Sequence, residues 1–447
     1  MKKLFFYFVS LCLVGSVVVS CGDDGNGPAA ISNNDNGTGI NNNGGDGNTQ
    51  LTPDAEKKYI EETARLFESY FDASETEEIT SASKEIDNVA NGDLDELNKT
   101  MFVETVVSKA STYTYNYYNV VIEASKAKGV YEAKANGSWK KTASSDNLVM
   151  KFTDSHDAVW QLTLTASGNK GRVYVKTDRE YTYTGYYANG EYNYENNTTY
   201  RDYYLDVPAQ TKVVLTRQGV EKVNCVVNIS ELASGTDYRP TPLSKAKGTA
   251  TVTFTPQSQS YVVNADFCYL PNSKCWANTT VRKGSTTLLN EKCEGTSVAP
   301  SSSEKDLNGK NITCTVDILG RLQVRMTSDD VRKVYEAYEN AGKYDNRTNE
   351  SYVKGCSDVI NNNLNAKLTN NGGSVEQATV KTTVRSKPYT YYSNGSYVNG
   401  YRYSLEAVLN FHDGTSYGFE DYFTKSYFND VINTFNDFVD KINAQIR

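Results

Sequence analysis

Residues 210–229 read QTKVVLTRQGVEKVNCVVNI, and in their second half Val223, Cys225, Val227 and Ile229 alternate with Asn224 and Asn228. Apolar side chains at every second position mark a strand with one face buried and the other wet. Cys225 stands on the apolar side and reads as a buried thiol. The pattern spreads in both directions. Upstream, the segments 129–134, 138–141, 146–153, 158–166 and 172–177 alternate or are apolar, with turn residues such as Asn136-Gly137 between them. Downstream lie similar runs at 249–255, 261–269, 276–282 and 311–326, then two more at 375–392 and 397–411. Neighbouring strands on short connections predict an antiparallel meander.

Helical periodicity is confined to the two ends. Thr52 caps a helix that starts at Pro53 and sets Ile60, Ala64, Phe67 and Phe71 on one side. A second helix is predicted over about 95–110, on Leu97, Met101, Val103 and Val107. Near the C-terminus, Thr327 with Asp330 three residues on resembles a capping box, and Gly342 ends that helix. Another is predicted over 351–368, with Val353, Cys356, Ile360 and Leu364 together. The last, over 425–445, aligns Phe428, Val431, Ile432, Phe435, Val439, Ile442 and Ile446. Such stripes must be buried, and the sheet is the only large apolar surface on offer. The expected fold is α+β: a large curved antiparallel β-sheet, a meander, with N- and C-terminal helices packed on one face. Strands flank the Ser/Pro-rich loop at 295–310, so residues 53–447 are expected to form a single domain, with a break near 300 as the alternative.

The 447 residues carry a formal net charge of −8 and no basic stripe, which sets nucleic acid aside as a partner. Neither a P-loop nor a G-x-G-x-x-G run is present, so nucleotide binding has no support and no cofactor is expected. Tyrosine is abundant at 34 residues, against 2 His and 4 Met. Tyrosine suits pleated, half-buried surfaces with one wet end.

The chain opens MKKLFFYFVSLCLVGSVVVSCGDD over residues 1–24. Lys2 and Lys3, the apolar run from Leu4 to Val19 and the small Ser20 have the layout of a signal sequence, and the run is short of the roughly 20 apolar residues that span a bilayer. Val18-Val19-Ser20-Cys21 resembles the lipobox of bacterial lipoproteins, and that resemblance implies that residues 1–20 are removed and Cys21 is acylated. Gly22, Asp23 and Asp24 resemble the acidic export signal of Bacteroidota surface lipoproteins, which implies an outer-membrane, lipid-anchored protein facing outward. More than one acyl chain gives stable attachment, so the expected membrane contact is through the anchor alone. Residues 21–52, rich in Gly and Asn, read as a disordered tether. Its Asn-Gly-Gly-Asp-Gly-Asn at 43–48 is one copy of a calcium-repeat-like string and reads as linker.

Of eight cysteines, Cys12 leaves with the signal and Cys21 takes lipid, and six remain for disulfides in an exported protein. Cys314 alternates with Ile312, Val316 and Ile318 and reads, like Cys225, as a buried thiol. A tight turn at Pro271-Asn272 would bring Cys268 opposite Cys275, the one disulfide the sequence suggests.

Two stretches echo each other. Tyr187-Ala-Asn-Gly-Glu-Tyr192 and Tyr392-Ser-Asn-Gly-Ser-Tyr397 both read as tyrosine-flanked hairpins on Asn-Gly turns. Tyr187, Tyr192, Tyr392 and Tyr397 are the candidate ligand-binding residues, their rings suited to stacking on a glycan or a protein partner; the alternative is cross-strand pairing that only stabilises the hairpins. Gly414-Thr-Ser416-Tyr-Gly418, beside His412 and Asp413, has the letters of a serine nucleophile elbow but lacks a following helix and a later histidine, and reads as a hairpin turn. His156 and His412 lack metal-ligand spacing, and no metal is expected. The function these features suggest is a non-enzymatic, surface-anchored lipoprotein that binds an extracellular glycan or protein through tyrosine-rich hairpins. A carrier of an amphiphile in a curved-sheet cavity and a carboxylate-dependent hydrolase are the alternatives.

Overall fold

The computed structural model describes residues 47, 49–70, 101–109, 115–134, 138–154, 157–189, 191–233, 246–256, 259–270, 272–298, 308–343, 345–393 and 396–418. The leader with Cys21, His156 and the predicted helix at 425–445 lie outside them.

One sheet dominates. Its middle runs through β9 (Gln210–Arg217), β10 (Val220–Leu232), β11 (Ala246–Phe254), β12 (Tyr261–Cys268), β13 (Lys274–Lys283), β14 (Thr286–Val298), β15 (Asn308–Ile318) and β16 (Leu322–Asp330), each paired antiparallel with the next. β17 (Asn365–Asn370), β18 (Glu376–Ser393), β19 (Ser396–Phe411) and β20 (Ser416–Gly418) continue to one edge. On the other side of β9 stand β6 (Val159–Ser167), β5 (Leu148–Thr153), β3 (Gly129–Ala133) and β4 (Trp139–Ala143). The result is a curved sixteen-stranded sheet in an α+β fold, largely the antiparallel meander expected, with β3 and β5 pairing parallel, β14 lying in no predicted run and β17 starting inside a predicted helix. Residues 210–229 sit near its centre. Gln218 and Gly219 both take positive φ, 51° and 81°, and make the two-residue turn that right-handed strand twist favours.

A second sheet, of four strands, has the order β1 (Phe102–Lys109), β2 (Tyr115–Glu123), β8 (Glu191–Val207), β7 (Gly171–Ala188), with β2 and β8 parallel. Here the sequence misled: the helix predicted over 95–110 is strand from Phe102 onward. Val103, Thr105, Val106 and Val107 are β-branched, which weakens helix and favours a pleated surface, and β2 supplies the hydrogen-bonding partner.

The three α-helices among the described residues are α1 (Pro53–Ser69), α2 (Val331–Gly342) and α3 (Glu350–Asn363). Thr52 Oγ1 accepts from the Ala55 N–H at 3.3 Å. The inward row of α1, however, is polar: Glu56, Tyr59 and Thr63 are buried alongside a half-buried Ile60. Asp330, not Thr327, caps α2, its side chain accepting from the Lys333 N–H, while Thr327 lies in β16. α3 is capped by Asn349 and stops at Asn363, five residues short of the predicted end, because residues 365–370 pair as a strand between β16 and β18. The run at 311–326 is likewise two strands, parted by a turn at Leu319-Gly320 with positive φ at both.

Among the described residues, the elements that cover the large sheet lie on one face. Ladder partners Val263, Val281, Leu289, Ile318 and Leu322 trace a continuous apolar face across it. Toward β5 and β6 this face carries Met150, Trp160, Leu162, Leu215 and Cys225, packed against Phe102, Val173, Leu205 and Val207 of the small sheet. Toward β18 and β19 it meets Ile60 of α1, then Val353, Cys356 and Ile360 of α3. Each fully buried side chain of this kind contributes about 1.5–3 kcal/mol. Among the described residues, the large sheet therefore draws stability from two separate covers on one face.

Candidate functional site

The four-stranded sheet also has two faces, and they differ. One presents Phe102, Val120, Ile122, Tyr203 and Leu205 inward. At the outer margin of that side, Arg201 bonds Glu104 at 3.2 Å and Glu180 at 2.7 Å, and these hydrogen bonds raise its pKa. The other face carries no covering element among the described residues, and its strand register sets side chains in rows.

The first row is aromatic. Tyr117, Tyr200 and Arg179 are ladder partners across β2, β8 and β7. The rings of Tyr117 and Tyr200 stack at 5.0 Å with 8° between their planes, and Tyr115 lies 5.9 Å from Tyr200. The Arg179 guanidinium sits 4.2 Å from the Tyr181 ring centre and 5.4 Å from that of Tyr200. Yet Tyr115, Tyr117 and Tyr181 keep 41–47% of their surface exposed. Large rings left in water on one contiguous face usually have a partner.

The next rows open a trough of about 410 Å³, within the size range of small-ligand sites. Val103 and Val121 form its floor and Tyr204 a wall, held edge-on to Tyr174 at 5.8 Å. Thr105, Asn119, Glu123 and Arg172 supply polar groups around it. Arg172 is fixed by two hydrogen bonds to Asp206, 2.6 and 3.0 Å, which raise its pKa. Between trough and rings, Asp202 accepts from the Thr177 hydroxyl at 2.5 Å. The trough exists because β1 carries short side chains opposite Asn119 and Val121. An apolar floor with donors and acceptors at its rim suits a ring that is itself apolar on its faces and polar at its edge.

The tyrosine hairpins form as expected. Tyr187 pairs with Tyr192 and Tyr392 with Tyr397, each pair one position inside a two-residue connection, and Asn189 has φ 55°. They belong to different sheets, so the fold does not bring the four tyrosines to one strand ladder. The Cys268–Cys275 disulfide does not form. Register pairs Cys268 with Trp276 and Cys275 with Gly295, and both thiols are free and buried. Instead Cys314 bonds Cys293, its direct partner across β14 and β15. Cys225 is the buried thiol expected, outside any disulfide. Ser416 donates to Asn410 across an antiparallel β19–β20 hairpin, and Asp413 binds the Thr415 N–H and hydroxyl. That is turn chemistry, and among the described residues no histidine bonds the serine. Among the described residues no group of three or more His, Cys, Asp or Glu is placed to hold a metal ion.

A second polar cluster lies under α1. Asn370 Nδ2 donates to Glu56 Oε2 at 2.6 Å, and burial pushes the Glu56 carboxyl from 4.5 up to about 7 against the pull of that bond. Beside it, the Tyr59 hydroxyl donates to Asn371 Oδ1 at 2.6 Å, and Gln377 binds the backbone of Thr49 and Leu51. Backbone contacts with the sheet thus begin ahead of Pro53.

The open face was missed by sequence reasoning because its central pairing, β2 to β8, joins residues about eighty apart in the chain. The one available signal was the tyrosine density of 115–118 and 200–204. No known protein family, curated protein or solved structure matches this chain.

Proposed function

We propose that this chain is a non-enzymatic lipoprotein, held by an acylated Cys21 at the outer face of an outer membrane, that binds an extracellular glycan on the open face of its four-stranded sheet. The observation that carries the reading is the juxtaposition on that face of exposed tyrosine rings and a trough with an apolar floor and a polar rim. Pyranose rings present C–H groups on their faces and hydroxyls at their edges, so they match both features at once. Stacking supplies area at little entropic cost, because a tyrosine has few torsions to freeze. Of the two hairpins, β7–β8 continues the strand pair that carries Tyr181 and Tyr200, so Tyr187 and Tyr192 are assigned to the ligand's path. Tyr392 and Tyr397 are left to hairpin stability.

The leader supports the address, and the Gly/Asn-rich segment after it supports a slack connection. The test has two arms. A glycan array probed with the purified protein should return saccharides in preference to proteins from the same surface, and Cys21→Ala should move the protein from membrane to soluble fraction and abolish incorporation of a labelled fatty acid. An array without a single binder would remove the glycan reading, and unchanged fractionation would remove the anchor.

A further inference from the structure

We infer that the glycan recognised on this face is an acidic one, carrying a carboxylate, and that Arg179 is the residue that reads it. The inference rests on the glycan reading above and adds a charge requirement to it.

Arg179 is exposed, and its planar guanidinium rests between the rings of Tyr181 and Tyr200. The two other arginines of the small sheet are already neutralised: Arg172 by Asp206 and, on the opposite face, Arg201 by Glu104 and Glu180. Arg179 makes no ion pair among the described residues. Its sequence neighbours Asp178 and Glu180 occupy the opposite face of β7 and cannot reach over the strand. Asp202, one row away on the same face, is engaged by Thr177. With its guanidinium carbon close to two ring centres and no carboxylate of its own among the described residues, Arg179 keeps a planar fork of N–H donors for bidentate capture of a carboxylate. The rings hold that fork in place, so little freedom is lost when an anion arrives. An acidic sugar is the partner that uses all of this together: the carboxylate on Arg179, the ring face on the exposed tyrosines, and the next residue's hydroxyls toward Asn119 and the trough. A neutral glycan would leave the arginine unused, and an inorganic anion would leave the rings and the trough unused.

The experiment measures affinity for oligogalacturonate, hyaluronan oligosaccharide and sialyllactose, each beside its carboxyl-reduced counterpart, with the full chain in detergent. At least one acidic probe should bind about tenfold or more tighter than its reduced form, the value of one charge-assisted hydrogen-bond pair at an exposed site. Arg179→Ala and Arg179→Lys should both erase that difference, since lysine offers no planar fork. Raised salt should weaken only the acidic probe. Equal binding of acidic and reduced forms, or an acidic preference that survives Arg179→Ala, overturns the inference while sparing the glycan reading. Binding of none of these probes or of any array saccharide removes both. Circular dichroism and thermal melts of the variants should match the parent, since Arg179 holds no buried contact.

Discussion

The two Asn-Gly hairpins, β7–β8 and β18–β19, share a local sequence, a loop length and a tyrosine pair at the same step from the turn, yet they stand in different surroundings. At the base of β18–β19, Val384, Tyr403 and Leu405 lie against Val353, Cys356 and Ile360 of α3. Ser357 and Asn361 bond the Thr382 backbone, each donating at 2.8 Å, and Asn361 Oδ1 also accepts from its N–H. Base and helix form one closed unit. At the base of β7–β8, Val173 and Leu205 join the core on one side only, and the side bearing Tyr200, Arg179 and Tyr181 is left open. A turn motif therefore decides where a chain reverses. What covers the strands decides whether that hairpin is scaffold or surface.

The sharpest way to break the comparison is to weaken the closed side. Ile360→Ala empties a position only 3% exposed and should cost about 3 kcal/mol, read as a lowered denaturation midpoint, with glycan affinity unchanged under native conditions. A comparable loss of affinity would mean that the two regions are coupled.

The next effect concerns α1, which covers the neighbouring part of β17–β19 and is pH-dependent. Glu56 in the folded chain stays neutral to about pH 7, while in the unfolded chain it ionises near 4.5. Its contribution is therefore complete below about 4.5, and falls as pH rises toward 7, because unfolding then releases a proton. Glu56→Gln should leave stability unchanged near pH 4 and raise it above pH 7, by up to about 3 kcal/mol. Urea titrations across that range would show it, and a gain confined to low pH would refute the assignment.

The smallest effect separates the tyrosines. Replacing Tyr117 and Tyr200 with alanine should weaken glycan binding by about tenfold and cost about 1 kcal/mol of stability from the lost stack. The same change at Tyr392 and Tyr397 should alter binding less than about twofold. A reversed order would transfer the site to the other hairpin.

How much of this was legible in the chain depends on distance along it. Most of the meander from β9 to β19 was readable because its strands pair with their sequence neighbours, so alternation such as Val223-Cys225-Val227 suffices, while β14 fell in no predicted run and β17 was taken into a helix. α3's apolar row of Val353, Cys356 and Ile360 was readable for the same reason. Residues 102–109 were misread because a short β-branched run between helix-like flanks satisfies either period, and only β2 decided between them. The Cys268–Cys275 pairing failed on register: a loop longer by one residue sets Trp276 where the second cysteine was expected. Thr327 was taken for a cap because its spacing to Asp330 is right, though β15 claims it as strand.

By itself the sequence determined strand alternation, the reversals and the helix faces, because these follow from local sterics and from the period of side-chain burial. Tertiary structure alone decided that β2 lies parallel to β8, that Cys293 meets Cys314, and that one face of the small sheet stays open with Arg179 on a bed of tyrosine. Those are contacts between segments far apart in the chain, and their free energy depends on what the intervening strands bring together, which no local pattern encodes.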